Sequence, residues 1–135
     1  MDVAAKDRLI ALANEARTNA YAPYSVYRVG AAVLCEDGRV FSGCNVENVV
    51  YGLSVCAERT AIGNMVSAGG LRLSAVAVVT ADGGRPCGAC RQVLAEFATG
   101  PDVPVYCAAE DGEVFESSVG ALLPEPFASG DVRRG

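Results

Sequence analysis

The segment from Leu73 to Ala81 constrains the fold of this chain most strongly, because nearly every residue in it is apolar. A strand with apolar side chains on both faces needs cover on both faces, so it belongs in the centre of a sheet. The run ends at Asp82 and is far shorter than the roughly 18 residues that a membrane-spanning helix requires. The sequence therefore predicts a central core strand and no membrane segment.

Three other segments show the three- and four-residue spacing of apolar side chains that predicts amphipathic helices. They run from about Leu9 to Ala20, from about Cys56 to Ser67 and from about Cys87 to Ala98. Pro23 follows the first of them, and Gly-containing pairs follow the other two, as expected of helix ends. Because helices alternate with strands, we expect part of the sheet to be parallel.

Four further apolar segments predict strands: Val29 to Cys35, Val40 to Val46, Val103 to Ala108 and Val114 to Ser117. The first two, and the last two, are joined by short connections that contain Asp-Gly, a signal for a tight antiparallel hairpin. We therefore predict an α/β fold with a five-stranded mixed sheet and an antiparallel final strand pair. It should form one domain over residues 1–128, followed by a mobile tail over residues 129–135.

Charge and composition argue against several functions. Eleven Lys and Arg against sixteen Asp and Glu give a net charge of −5, whereas nucleic-acid binding needs clustered positive charge. We expect no nucleic-acid partner. The chain has no histidine, the commonest general base and metal ligand. Its six cysteines are too few for a disulfide scaffold, and its first residues lack a secretory pattern, so we expect a cytoplasmic protein with reduced thiols.

Three cysteines have the spacing of metal ligands. Cys87 and Cys90 open the third helix and share one of its faces, because residues three apart are neighbours on a helix. If the second helix lies alongside, Cys56 at its start supplies a third sulfur, and both helix N-termini favour the thiolate form. Three sulfur ligands select zinc and leave a fourth position for water, as in a catalytic site. We predict one zinc ion per chain.

Other interpretations of these cysteines stay open at this point. A structural zinc site would take Cys35, Cys44 or Cys107 as a fourth ligand, and Cys-x-x-Cys alone also fits a redox pair. Glu58, two residues after Cys56, favours catalysis, because a structural site has no use for that carboxylate. The three remaining cysteines lie in apolar strand segments, so we expect them to be core thiols.

Several motifs together resemble one enzyme family. Cys-Ala-Glu-Arg from Cys56 and Pro-Cys-Gly-Ala-Cys from Pro86 resemble the signature of zinc deaminases. Tyr-Ala-Pro-Tyr-Ser from Tyr21, Gly-Cys-Asn-Val-Glu-Asn from Gly43 and Leu-Leu-Pro-Glu-Pro-Phe from Leu122 are similar to motifs of the small homotetrameric cytidine deaminases. The resemblance covers nearly the whole chain. It implies a three-layer α/β/α fold and zinc-dependent hydrolysis of cytidine and 2'-deoxycytidine to uridine and 2'-deoxyuridine, with release of ammonia, in pyrimidine salvage.

The resemblance also implies roles for individual residues. Cys56, Cys87 and Cys90 match the zinc ligands, and Glu58 matches the residue that moves protons. The positions that match substrate contacts are Asn45 and Glu47, which bind the ribose, together with Tyr27, Ala57 and Phe127. Tyr27 departs from the family pattern, which commonly has a Phe near the pyrimidine at this position. The packing against the base is therefore expected to differ from that of the family.

Each of these roles has a structural alternative. Arg59, one turn after Cys56, is expected to donate to thiolate sulfur, but it could be a solvated helix cation. Asn45 and Glu47 could simply cap a turn.

The segment that ends in Phe127 carries apolar side chains that no further strand or long helix covers. We therefore expect this segment to contact another copy of the chain. The family resemblance implies a homotetramer in which Phe127 reaches the active site of a neighbouring subunit. The alternative is that Phe127 folds back onto its own domain. Two alternatives to the whole function also stand: deamination of another small aminopyrimidine nucleoside, and a non-catalytic zinc-binding module.

Overall fold

The computed structural model describes residues 1–128. Its elements, in chain order, are α1 (Val3–Arg17), β1 (Gly30–Cys35), β2 (Val40–Cys44), a 3-10 turn (Tyr51–Leu53), α2 (Ala57–Ser67), β3 (Leu73–Thr80), α3 (Gly88–Phe97), β4 (Pro104–Ala109), β5 (Val114–Ser118) and α4 (Val119–Leu122). The expected mobile tail, residues 129–135, lies outside the described residues. Within residues 1–128, no helix has both the length and the apolar character needed to cross a membrane.

The described strands form one five-stranded sheet in the order β2-β1-β3-β4-β5. β3 pairs parallel with β4, and the other three pairings are antiparallel. β3 is buried along its whole length apart from the half-buried Ser74. The mixed sheet, its central strand and its antiparallel final pair are therefore confirmed.

Helices cover both faces of the sheet, so the three-layer α/β/α arrangement is also confirmed. On one face, Leu9 and Ala13 of α1 pack against small side chains of β1, β3 and β4. On the other, α2, α3 and α4 contribute Met65, Leu94 and Val119 to a core with the opposite faces of the same strands. Truncating a buried Leu or Met in such a core costs about 2–5 kcal/mol.

Two glycines let helices approach the first hairpin closely. A Cβ atom at Gly30 would lie 1.9 Å from the carbonyl oxygen of Ala13, so α1 packs directly on the backbone of β1. A Cβ atom at Gly43 would lie 2.6 Å from the main-chain nitrogen of Ala61 in α2. The first hairpin is therefore in backbone contact with a helix on each side.

The first helix begins and ends earlier than expected. It spans Val3–Arg17 and not about Leu9 to Ala20, because the Asp2 side chain accepts from the Ala5 N–H and caps the earlier start.

Two further segments differ from the sequence-based expectation. β2 ends at Cys44, short of the expected Val46, because Val46 leaves the sheet and instead forms bridges with Tyr21 and Val55. Leu122, expected to be uncovered, packs as part of α4 against the core on the α2 and α3 face. A single helical turn is enough to cover it, since Val119 in the same turn is almost fully buried.

Candidate active site

The starts of α2 and α3 bring three sulfur atoms together. Cys56 and Cys87 are the N-cap residues of the two helices, and Cys90 lies in the first turn of α3. Among the described residues, these three form a group whose sulfur atoms all lie within 4.8 Å of one another, and the Cys56 and Cys87 sulfurs are 3.9 Å apart. Two thiolates bound at about 2.3 Å to a tetrahedral zinc are about 3.8 Å apart, so the donor set fits the ion.

The surroundings of Cys56 favour its thiolate form. A hydrogen bond from the Cys90 thiol and contacts from Arg59 lower the pKa of Cys56 to about 5. The pKa of Cys90 is raised, because it donates that hydrogen bond and is buried. Arg59 Nη2 lies 3.8 Å from the Cys56 sulfur and donates to the Ser54 carbonyl at 3.3 Å. The contact expected between Arg59 and a ligand sulfur is therefore present.

The other cysteines do not join this group. Cys35 and Cys107 are buried in β1 and β4, and burial raises the pKa of Cys107 to about 11. Cys44 was expected to be a core thiol, but it is only half-buried at the end of β2. Within residues 1–128, the metal-binding group contains none of the three, which argues against a structural zinc site with four cysteines.

Glu58 lies in the first turn of α2 and is only 4% exposed. Burial, with a smaller contribution from the nearby Cys56, raises the pKa of this carboxyl to about 7. It lines a cavity of about 230 Å³ that also includes Cys56 and Cys87 in its wall. The remaining wall residues are Ser25, Tyr27, Val29, Asn45, Glu47, Ala57, Val78, Thr80, Gly84 and Arg85.

Asn45 and Glu47 line this cavity and also hold the loop beside it. The Asn45 amide accepts from the Val29 N–H at 2.9 Å and donates to the Tyr27 carbonyl at 2.9 Å. The Glu47 carboxylate accepts from two main-chain N–H groups and from the Ser25 hydroxyl, which lowers its pKa. Asn45 and Glu47 therefore both hold the neighbouring loop and line the cavity.

The two aromatic residues of the expected site lie in different environments. Tyr27 is in the cavity wall, and its hydroxyl donates to Asp82 Oδ1 at 2.7 Å. Phe127 is 64% exposed, so its side chain does not fold back into the core of its own domain. Its main chain is held by Gln92, which accepts from the Phe127 N–H at 3.2 Å and donates to its carbonyl at 2.8 Å.

Several wall residues were not expected from the sequence. No motif in the sequence indicates Thr80 or Gly84 as a wall residue. Both lie where the chain leaves β3 and approaches α3, outside the carboxyl end of a parallel strand, which is a usual position for ligand sites in α/β proteins. Their position after β3 could therefore have indicated that they belong to the site. Val29 and Ser25 could not be found in this way, because they reach the wall through contacts with residues distant in sequence.

Comparison with known proteins agrees with this geometry. A family model described as the cytidine and deoxycytidylate deaminase zinc-binding region matches residues 4–107. The chain belongs to the cytidine deaminase family. A cytidine deaminase from Sporosarcina psychrophila is 48% identical over 98% of this chain and 96% of its own length. One from Mycobacterium tuberculosis is 46% identical over 90% of this chain and 89% of its own.

A solved structure supports the same assignment at the level of the fold. The 1.6 Å crystal structure of cytidine deaminase from Burkholderia pseudomallei has a TM-score of 0.85 and 46% identity, and the match covers 94% of this chain and 100% of that chain. The chain is therefore an enzyme of a zinc-dependent deaminase family, and zinc is its metal. The interpretation as a non-catalytic zinc module is wrong.

Proposed function

We propose that this enzyme hydrolyses cytidine and 2'-deoxycytidine to uridine and 2'-deoxyuridine and releases ammonia. The observation that carries the proposal is the buried Glu58 carboxylate, in the wall of a 230 Å³ cavity that also contains Cys56 and Cys87 of the sulfur group. Membership of the cytidine deaminase family supports the substrate class. The reaction would serve pyrimidine salvage, and the six free thiols are compatible with a cytoplasmic location.

Zinc held by Cys56, Cys87 and Cys90 would lower the pKa of a water molecule and so supply the nucleophile at neutral pH. Three thiolates carry more negative charge than the ion carries positive charge, which weakens that effect. Arg59 partly offsets it, because its guanidinium lies 3.8 Å from the Cys56 sulfur. The arginine would therefore tune the charge of the thiolates.

Glu58 is the residue placed to move protons in a chain without histidine. It would take a proton from the attacking water and deliver one to ring nitrogen 3, and then carry a proton to the departing amine. Overall, a C–O bond forms at ring carbon 4, the C–N bond to the exocyclic amine breaks, and ammonia leaves. Glu58 lines the cavity beside Cys56 and Cys87, where a bound pyrimidine ring would meet its carboxylate.

Asn45 and Glu47 would bind the ribose. Both line the smaller cavity and also the adjoining open cleft of about 630 Å³, which gives room for a sugar beside the ring. A carboxylate accepts from hydroxyl groups, and an amide can both donate and accept. Their bonds to the neighbouring loop hold them in place before substrate binds, which lowers the entropy lost on binding.

A homotetramer with shared active sites is part of the proposal. The segment Val49 to Leu53, called here the apolar rim, borders the open cleft through Tyr51, whose side chain is 91% exposed. Phe127 adds a second exposed aromatic side chain. Exposed apolar surface next to a site usually marks a protein contact, and a second copy of this chain is the partner that the family resemblance favours.

The decisive experiment compares four substrates with the zinc-loaded protein: cytidine, 2'-deoxycytidine, cytosine and cytidine 5'-monophosphate. Loss of ultraviolet absorbance and release of ammonia are followed together. We expect both nucleosides to react and cytosine to be at least about 100-fold poorer in kcat/KM, because sugar contacts position the ring. Equal turnover of cytosine and cytidine contradicts the sugar site, and preference for another aminopyrimidine nucleoside contradicts the substrate.

A pair of variants separates the two roles of Glu47. Glu47→Ala removes the carboxylate, whereas Ser25→Ala keeps it and removes the hydroxyl that donates to Glu47 and accepts from the Tyr27 N–H. We expect Glu47→Ala to lose most of the preference for cytidine over cytosine and Ser25→Ala to retain it. Equal loss in both variants would assign Glu47 to the loop alone.

A further inference from the structure

Tyr27 connects two parts of the cavity wall that are distant in sequence. Its hydroxyl donates to Asp82 Oδ1 at 2.7 Å across 55 positions of the chain. The ring lies in the wall of the cavity that contains Glu58, and the side chain is 38% exposed. One hydrogen bond therefore joins the loop held by Glu47 to the connection between β3 and α3.

The Asp82 end of this contact is part of a fixed turn. Asp82 Oδ1 also accepts from the Gly84 N–H at 3.2 Å and lies 3.3 Å from the Thr80 hydroxyl. The hydroxyl oxygen of Thr80 in turn accepts from the N–H groups of Gly83 and Gly84, both at 2.8 Å. Thr80 is nearly fully buried at the end of β3, so the turn that leads to Cys87 is anchored in the core.

The Tyr27 end is fixed through its main chain. Its N–H donates to the Ser25 hydroxyl oxygen at 3.0 Å, and its carbonyl accepts from the Asn45 amide at 2.9 Å. With the backbone held on both sides, the hydroxyl contact determines where the ring points. The hydrogen bond from Tyr27 lowers the pKa of Asp82, as expected for a donor to a carboxylate.

Gly84 makes room for this contact. A Cβ atom there would lie 2.5 Å from the Tyr27 hydroxyl oxygen but 3.8 Å from the ring carbon that carries it. The absence of a side chain at Gly84 therefore accommodates the hydroxyl group and not the ring. A residue with a side chain at position 84 would compete with the hydroxyl for the same space.

We propose that Tyr27 and Asp82 form a latch that positions the aromatic wall of the cavity against the pyrimidine ring of the substrate. Tyr27 is a positioning residue in this proposal, which rests on the proposed nucleoside substrate. Because Asp82 already accepts its hydroxyl proton, Tyr27 offers the substrate the surface of its ring and not a hydrogen bond. The latch also holds the turn before Cys87 at a constant distance from the loop beside Glu47.

Breaking the latch should weaken substrate binding more than it slows the reaction. We expect Tyr27→Phe and Asp82→Ala to raise KM for cytidine about 3- to 10-fold, the effect of one hydrogen bond, with kcat within about twofold. Asp82→Asn keeps an acceptor oxygen and should restore KM to near the wild-type value. Tyr21→Phe, which removes a tyrosine hydroxyl outside the cavity, is the control and should change neither constant.

Two double variants test whether the residues act together. Tyr27→Phe with Asp82→Ala should be no worse in KM than either single variant, because both remove the same contact. Gly84→Ala should raise KM by crowding the Tyr27 hydroxyl, and adding Tyr27→Phe should recover part of that loss. Thermal unfolding of the same variants measures the coupling between Tyr27 and Asp82 without any substrate. This coupling can therefore be measured even if cytidine proves not to be the substrate.

The proposal is overturned by any of three results. Unchanged KM in Tyr27→Phe would show that the latch does not position the ring. A fall in kcat of about 100-fold at constant KM would show that the hydroxyl takes part in the chemistry. Additive effects of Tyr27→Phe and Asp82→Ala, both on KM and on unfolding temperature, would show that the two residues act independently.

Discussion

Val26 combines a β-branched side chain with a left-handed backbone. Its φ is 59°, a conformation that costs non-glycine residues about 1–2 kcal/mol, and its side chain is 82% exposed. The strain is held in place from both sides, by the Glu47 contact to Ser25 and the Asn45 contact to Tyr27. Residues forced into such conformations occur often at functional sites, and this one adjoins the wall residue Tyr27.

Replacing Val26 with a residue that tolerates positive φ should stabilise the protein. We expect Val26→Asn to raise the melting temperature by about 3 °C, which corresponds to about 1 kcal/mol in a chain of this size. Differential scanning calorimetry of the zinc-loaded protein measures the shift. Val26→Ala is the matched control, because it removes the side chain but not the unfavourable φ, and an equal gain in both variants would contradict the strain.

Glu58 is the carboxylate of the cavity wall that is placed to carry protons, because the other one, Glu47, accepts hydrogen bonds from its own loop. Glu58→Gln keeps the shape of the side chain but not its basicity, so we expect kcat to fall by at least about 10²- to 10⁴-fold while zinc content stays the same. Steady-state kinetics and elemental analysis measure the two quantities. Glu96→Gln, an exposed change on α3, should leave both unaffected. Turnover of Glu58→Gln within tenfold of the wild type would require another base.

Residues whose role depends on local spacing could be predicted, and residues whose role depends on distant contacts could not. The positions of Cys56, Cys87 and Cys90 at helix starts follow from helix periodicity and stop signals. The loop contacts of Glu47 span 22 and 23 positions, and the contact between Tyr27 and Asp82 spans 55. No periodic pattern encodes such pairs, because they form only once the sheet has brought its loops together.

The starts of α2 and α3 act as one unit, because each provides a sulfur at its N-cap. Cys87→Ser should lose most of the bound zinc and lower the melting temperature. Cys107→Ser, in β4 and outside the sulfur group, should keep its zinc. Elemental analysis after gel filtration distinguishes the variants. Stoichiometric zinc in Cys87→Ser would overturn the ligand assignment, whatever happens to stability.

The elements themselves were largely predictable from local signals. The two Asp-Gly connections predicted the antiparallel hairpins, and the doubly apolar Leu73–Thr80 segment predicted the central strand, β3. The end of β2 was not predictable, because Val46 is apolar and β-branched and only its pairing with Tyr21 and Val55 removes it from the sheet. The burial of Leu122 likewise depends on the core surface that α4 meets.

At the scale of the whole molecule, the apolar rim and Phe127 lie outside the core that the described residues build. Gln92 holds the Phe127 main chain with two hydrogen bonds, so the exposed side chain is presented from a fixed position. An exposed aromatic group on a fixed backbone loses little entropy when a partner covers it. This arrangement is compatible with the proposed contact between copies.

Phe127→Ala should therefore raise KM for cytidine while leaving zinc content unchanged. The physical reason is that a neighbouring copy would lose one wall of its site, whereas the sulfur group lies within a single chain. Light scattering during gel filtration measures assembly, and kinetics at several protein concentrations measure the link between assembly and activity. A monomer that is fully active at the assay concentration would contradict a shared site.

A zinc ion held by the three sulfurs at two helix starts would also be a cross-link within the chain. Cys56 and Cys87 are 31 positions apart, and closing a loop of that length removes about 4 kcal/mol of conformational entropy from the unfolded chain. By mass action, the melting temperature should then rise with the logarithm of the free zinc concentration. The melting temperature would thus depend on the free zinc concentration around the protein as well as on the packing of its core.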